Sequence, residues 1–181
     1  MSRLKYYFEW LIYFIIFSGI AIVQATFISS LPPVFFAINL SLTSLIFSLI
    51  FFKLETTLVL AMLMGFWLDI LGFNFFGLNI FVYIVTILII DLLLNDWLTN
   101  RSLYSFLVLS ILGVFIYNIL LYSILAVWST GQANFSLFLF TAHFWTQLAY
   151  QMMWGAGFML LFFNLANSLT KRLKPFFLEK K

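Results

Sequence analysis

The sequence predicts an all-α membrane protein, a single domain of six transmembrane helices with both termini in the cytoplasm, and three observations carry that prediction. Of the 181 residues, 65% are hydrophobic and only 8% are charged, against about 25% charged in an ordinary soluble domain. At about 20 residues per span, the chain holds roughly five to seven crossings and no folded extramembrane domain. All 9 Lys and Arg fall on one side of a six-span arrangement: Arg3, Lys5, Lys53, Arg101, Lys171, Arg172, Lys174, Lys180 and Lys181. The side rich in positive charge is the cytoplasmic one. Five or seven spans would scatter these charges over both faces.

Taken in order, the first helix is expected over residues 8–29. The apolar run from Trp10 to Ile28 is longer than the roughly 7 to 15 residues of a signal-peptide core and lacks a small-x-small cleavage site, so it remains as a span. Pro32-Pro33 stops it, because proline removes a donor and forces the preceding residue toward extended geometry. Ala21, Ala25 and Ser29 fall at i, i+4 and i+8, a small-residue face that lets another helix approach. The second helix is expected over 34–52, where Asn39, Ser41, Thr43 and Ser44 bond back to the helix or across to a neighbour. The third covers 56–72 with Glu55 just before it, and the fourth covers 78–94.

Asn95 to Arg101 is the most polar connection in the middle of the chain and reads as an aqueous loop, near which Asp91, Asn95 and Asp96 hydrate and pair weakly. The fifth helix spans 102–128, longer than a crossing requires, so it tilts or emerges. The sixth spans 137–165 and is followed by a basic cytoplasmic tail over 166–181. That tail orients the chain and lies close to membrane lipid.

Composition excludes several classes of function. With no cysteine, disulfides, iron–sulfur clusters, thiolate metal sites and cysteine nucleophiles are absent. The single histidine, His143, rules out a multi-histidine metal site within one chain. Lys and Arg form no stripe along a polar face, so no nucleic-acid partner is expected. Nor is a catalytic constellation visible. Asp69 and Asp91 fall near opposite faces, where aspartyl chemistry needs two carboxylates together, and no Gly-x-Ser-x-Gly context accompanies the histidine. No cofactor is expected.

The residue that demands an explanation is Asp69. About 24 Å along the third helix from Lys53, it lies toward the outer leaflet, far from every cationic side chain. It is therefore solvated at the interface, protonated, or bonded to neutral donors. Ala61, Gly65, Asp69 and Gly72 share one face at spacings of four, four and three, which admits a neighbouring backbone and aims the carboxyl inward. On the sixth helix His143, Gln147 and Gln151 form a second polar stripe in the same leaflet. The expected donors to Asp69 are backbone amides around Gly72 to Gly77, or the His143/Gln147 edge.

Gly65-Phe-Trp-Leu-Asp69, followed eight residues later by Gly77-Leu, resembles the MreD family of bacterial rod shape-determining membrane proteins. The match lies at Gly65, Asp69 and Gly77. Phe66 and Trp67 stand where the family is expected to carry aliphatics. The resemblance implies a non-enzymatic scaffold in the cytoplasmic membrane that binds MreC. It would work beside MreB, RodA and a penicillin-binding transpeptidase in lateral peptidoglycan synthesis. The family is similar in fold to the substrate-binding S components of energy-coupling-factor vitamin transporters, which makes that the rival. There, Ala21, Ala25 and Ser29 would meet a coupling subunit. The outer connections offer Asn74, Asn79, Ser129, Thr130, Gln132 and Asn134 as the main polar groups to specify a vitamin.

Overall fold

The computed structural model describes residues 2–32, 35, 37–72, 75–96, 103–128 and 142–177. Among them are six α-helices and no strand: α1 (Ser2–Thr26), α2 (Leu40–Phe51), α3 (Leu54–Leu71), α4 (Leu78–Asp96), α5 (Leu103–Trp128) and α6 (Ala142–Phe177). A single turn of 3-10 helix, Ile28–Ser30, follows α1. Among the described residues four stretches are long and apolar enough to cross a membrane: Trp10–Ser30, Leu54–Leu71, Leu78–Asn95 and Tyr104–Leu125.

α2 is the hub. It touches each of the other five helices, which follow one another around it in the order α1, α3, α4, α5, α6. Leu42, Leu45 and Ile46 are fully buried, and so are Ser41, Thr43, Ser44 and Ser48. A helix enclosed over most of its surface must satisfy most of its polar side chains locally. Accordingly Thr43 Oγ1 donates to the Asn39 carbonyl at 3.0 Å, Ser44 Oγ to Ser41 at 2.8 Å and Ser48 Oγ to Leu45 at 2.7 Å. Both expected readings occur: Thr43 and Ser48 bond back to their own helix, Ser44 does so and also reaches Met64 Sδ of α3 at 3.8 Å, Asn39 Oδ1 accepts across from Tyr83 at 3.4 Å, and Ser41 Oγ is buried with no hydrogen-bond partner.

α2 has 12 residues, about 18 Å of helix against a hydrocarbon core of about 30 Å, so the expected helix over 34–52 is corrected. Residues 34 and 36 lie outside the described ones; around them Phe35 N–H donates to Pro32 O at 2.9 Å and Ile38 N–H to Phe35 O at 3.0 Å, and residues 37–39 are not helical. The helix starts only where Asn39 Oδ1 caps the Leu42 amide at 3.0 Å. Gln24 of α1 holds this junction from outside. Its Nε2 donates to Ile38 O at 2.7 Å and its Oε1 accepts from Leu40 N at 2.8 Å.

The last helix also departs from expectation. α6 continues to Phe177, so residues 166–177 are helical and include Lys171, Arg172 and Lys174. Residues 137–141 and 178–181 lie outside the described ones. Charge limits a hydrophobic span but does not end a helix, since Lys and Arg are good helix formers, and α6 passes through Pro175 before it ends. The stretch 166–174 contains no Gly or Pro.

The exterior is apolar. Leu11, Phe14, Ile15 and Ile16 of α1, Val59 and Met62 of α3, and Phe81 and Leu92 of α4 are exposed. A continuous greasy surface of this kind marks contact with lipid or another protein.

Candidate functional site

Asp69 lies in the last turn of α3 and is only 3% exposed. The face it shares is the buried one: Ala61 is fully enclosed and Gly65 is buried. At Gly65 the backbone of α4 occupies the place of a side chain. A Cβ there would sit 2.6 Å from Ile80 Cα and 2.7 Å from Ile80 N. This close approach brings the first turn of α4 beneath the carboxyl one helical turn further along.

Four N–H groups converge on Asp69. Oδ2 accepts from Gly77 N at 2.9 Å and from Ile80 N at 3.4 Å, and Oδ1 accepts from Asn79 N and Asn79 Nδ2, both at 2.9 Å. With α4 beginning at Leu78, Gly77 is the residue that would normally cap it, and its carbonyl already accepts from Phe81 N at 2.9 Å. Glycine has no capping side chain, and Gly77 adopts φ +95°, a conformation that glycine adopts at little cost. α4 also has no acidic residue in its first turn. Asp69 supplies from α3 both the missing cap and the missing negative charge at the helix N-terminus.

Of the two donor sets expected for Asp69, the backbone amides are the ones used. Gln147 makes no hydrogen bond to it, and the side chain of His143 lies outside the described ones. The donors start at Gly77, however, and not at Gly72. Gly72 is the exposed C-cap of α3, with its N–H on Leu68 O at 2.8 Å, so its expected place on the buried face is corrected. Asn79 contributes a backbone and a side-chain donor, although the sequence offers it only as a polar group of an outer connection. Its position directly after Gly77-Leu78, in the first turn of a helix, was the available signal.

The two aromatics at unexpected positions have distinct roles. Trp67 Nε1 donates to Ser18 Oγ at 3.0 Å, joining α3 to α1, and the Phe66 ring meets Phe76 edge-on at 5.9 Å. The small-residue face of α1 is divided. Ala21 is fully buried in the core and Ala25 is half-buried. Ser29 lies in the 3-10 turn, exposed, with its hydroxyl on the Ala25 and Thr26 carbonyls. The helix breaks at Phe27, so the spacing of eight no longer places Ser29 above Ala21.

Behind Asn79 opens a cavity of about 630 Å³ reached by α1, α3, α4, α5 and α6. Tyr83 and Tyr117 stack at its wall with ring centroids 5.3 Å apart. The Tyr117 hydroxyl donates to Asn79 Oδ1 and that of Tyr83 to Asn39 Oδ1, both at 3.4 Å. Asn118 of α5 donates to Val114 O at 2.7 Å and also to Gln151 Oε1. Gln147 and Gln151, the two described members of the α6 stripe, both line this cavity. Asn118, Tyr83, Tyr117 and Gln24 were not anticipated, because isolated polar residues within apolar helices carry no spacing that announces convergence.

Asp91, at the far end of α4, accepts from Asn95 Nδ2 at 3.2 Å on the surface. Among the described residues no group of three or more His, Asp or Glu could hold a metal. No protein-family model, curated protein or solved structure matches the chain.

Proposed function

We propose that the chain is a non-enzymatic membrane scaffold of the bacterial elongation machinery. On this reading it crosses the cytoplasmic membrane six times with both termini in the cytoplasm. It binds MreC, and it supports lateral peptidoglycan synthesis and cell shape together with MreB, RodA and a penicillin-binding transpeptidase. The resemblance at Gly65, Asp69 and Gly77 names these partners. The observation that carries the scaffold role is the occupancy of Asp69. Its two oxygens meet four N–H donors, so this acid, the one buried among the described residues, works as a joint between α3 and α4 and has no lone pair free for a reacting proton. A rigid joint beneath an apolar exterior suits a protein whose task is to present a surface to other transmembrane helices.

The rival transporter component has the polar cavity in its favour, whereas the small-residue face that would meet a coupling subunit is turned inward at Ala21. Affinity purification of the tagged chain from bacterial membranes separates the two. An MreC-like partner with cell-wall synthases is the expected result. An ATPase module with a stoichiometric vitamin would replace the scaffold reading. Asp69→Asn, measured for membrane level and for partner recovery, is expected to lower both, because the joint shapes the surface that the partner meets. Normal level with full recovery would overturn the role given to the joint.

A further inference from the structure

We propose that the cavity behind Asn79 is a binding site for an uncharged small molecule, a ring compound bearing both hydrogen-bond donors and acceptors. This does not depend on whether the chain serves as a scaffold or as a transporter component.

The size and lining are those of a ligand site. About 630 Å³ lies within the roughly 300–1,000 Å³ of small-molecule pockets. Its walls mix aliphatic surface from Ile38, Leu68 and Leu121 with carboxamides and phenols. Several carboxamides belong to the fold: Gln24 clamps the start of α2, and Asn79 is held by Asp69 and Tyr117. Others retain unpartnered atoms. Among the described residues Gln147 has no hydrogen-bond partner. Gln151 uses only its carbonyl, and Asn118 uses only its amide nitrogen. Carboxamides that are buried, like Asn118, or half-buried, like Gln147 and Gln151, demand partners in an otherwise apolar bundle. The free set contains both donors and acceptors, so it matches a molecule with both.

The electrostatics select against ions. Among the described residues no Asp, Glu, Lys or Arg lines the cavity. Two helices start at its wall, and a free helix N-terminus would attract an anion. Both ends are already closed by the chain itself, α4 by Asp69 and α2 by Asn39 and Gln24. An anion would therefore meet no cation and no open helix end, with the Asp69 carboxylate just behind Asn79. A cation would find both oxygens of that carboxylate occupied. Either ion would lose its hydration without compensation, whereas a neutral ring would lay its faces on the aliphatic wall and its edges on Gln147, Gln151 and Asn118.

The test uses the purified full-length chain in detergent, without partners, so that its outcome is separate from co-purification. Three neutral probes, uridine, nicotinamide and glucose, are each paired with a charged counterpart: uridine monophosphate, nicotinate and glucose 6-phosphate. Binding is read by equilibrium dialysis. At least one neutral probe is expected to bind and to be favoured at least tenfold over its counterpart. Gln147→Leu and Gln151→Leu should each weaken it about fivefold, the share of one hydrogen bond, while Asn95→Ala on the surface leaves it unchanged. Because the chain has no cysteine, Gln147→Cys adds a second readout. Maleimide should label it, and the bound probe should slow the labelling. Binding by none of the neutral probes, equal or tighter binding of a charged member, or binding indifferent to both Leu variants would overturn the proposal. A cavity filled by water alone would give the first of these results.

Discussion

The α3–α4 junction and the α5–α6 wall of the cavity both place amide and carboxyl groups inside an apolar bundle, yet they are built oppositely. At the junction every polar atom of Asp69 is matched, by four donors at 2.9 to 3.4 Å, and Gly65 leaves no gap between the backbones. At the cavity wall Asn118, Gln147 and Gln151 keep donors and acceptors unused across an open volume. A buried polar group with all its partners inside the chain is part of the architecture. One with partners left over is available to something that enters. The same chemical vocabulary therefore serves cohesion in one region and recognition in the other.

Substitutions break the comparison in a definite order. Asp69→Leu should have the largest effect, about 3 kcal/mol or more, because it strips the acceptor from three backbone amides and the Asn79 side chain together. Thermal unfolding in detergent measures it, and a loss equal to that of a surface variant would show that the joint is not structural. Gly65→Ala comes next, at about 1–3 kcal/mol, because the new Cβ meets the backbone of Ile80, which moves only if α4 moves. Gly113→Ala sharpens that point. Its Cβ would fall 2.5 Å from Ile46 Cδ1 and 2.7 Å from Ile90 Cδ1, but these are side-chain tips that can turn aside, so a cost below that of Gly65→Ala is expected in the same melts. Gln147→Leu should change stability least, within about 0.5 kcal/mol. If it destabilised the protein as much as Asp69→Leu, the two regions would not differ in the way described.

Much of the junction was legible in the chain. The spacing of Ala61, Gly65 and Asp69 on one helical face predicted a close backbone approach and an inward carboxyl, and the lack of any nearby Lys or Arg predicted neutral donors. The register of those donors was harder to read. A capping carboxylate must reach amides in the first turn of a helix, so the partners are Gly77, Asn79 and Ile80, whereas the glycine nearest in sequence, Gly72, only ends α3. The cavity was scarcely legible. Gln24, Asn79, Asn118 and Gln151 lie on four different helices, and nothing in their spacing reveals a common destination. Gln147 and Gln151 were visible as a stripe, but the stripe faces Asn118 and the cavity and makes no bond to Asp69.

Composition and periodicity by themselves determined an all-helical chain with several segments apolar enough for a membrane, and they singled out Asp69 through the cost of a carboxylate among apolar residues. Local chemistry placed the ends of α3, α4 and α5 within two residues. Only tertiary structure decided that α2 would be a short hub surrounded by the others, because helix length is settled by the Asn39 cap and the Gln24 clamp, one of them contributed by another helix. Only tertiary structure, too, divided the polar residues into those with partners and those without. Hydrogen bonding is a property of pairs, and a single residue in a sequence carries no record of what will stand opposite it.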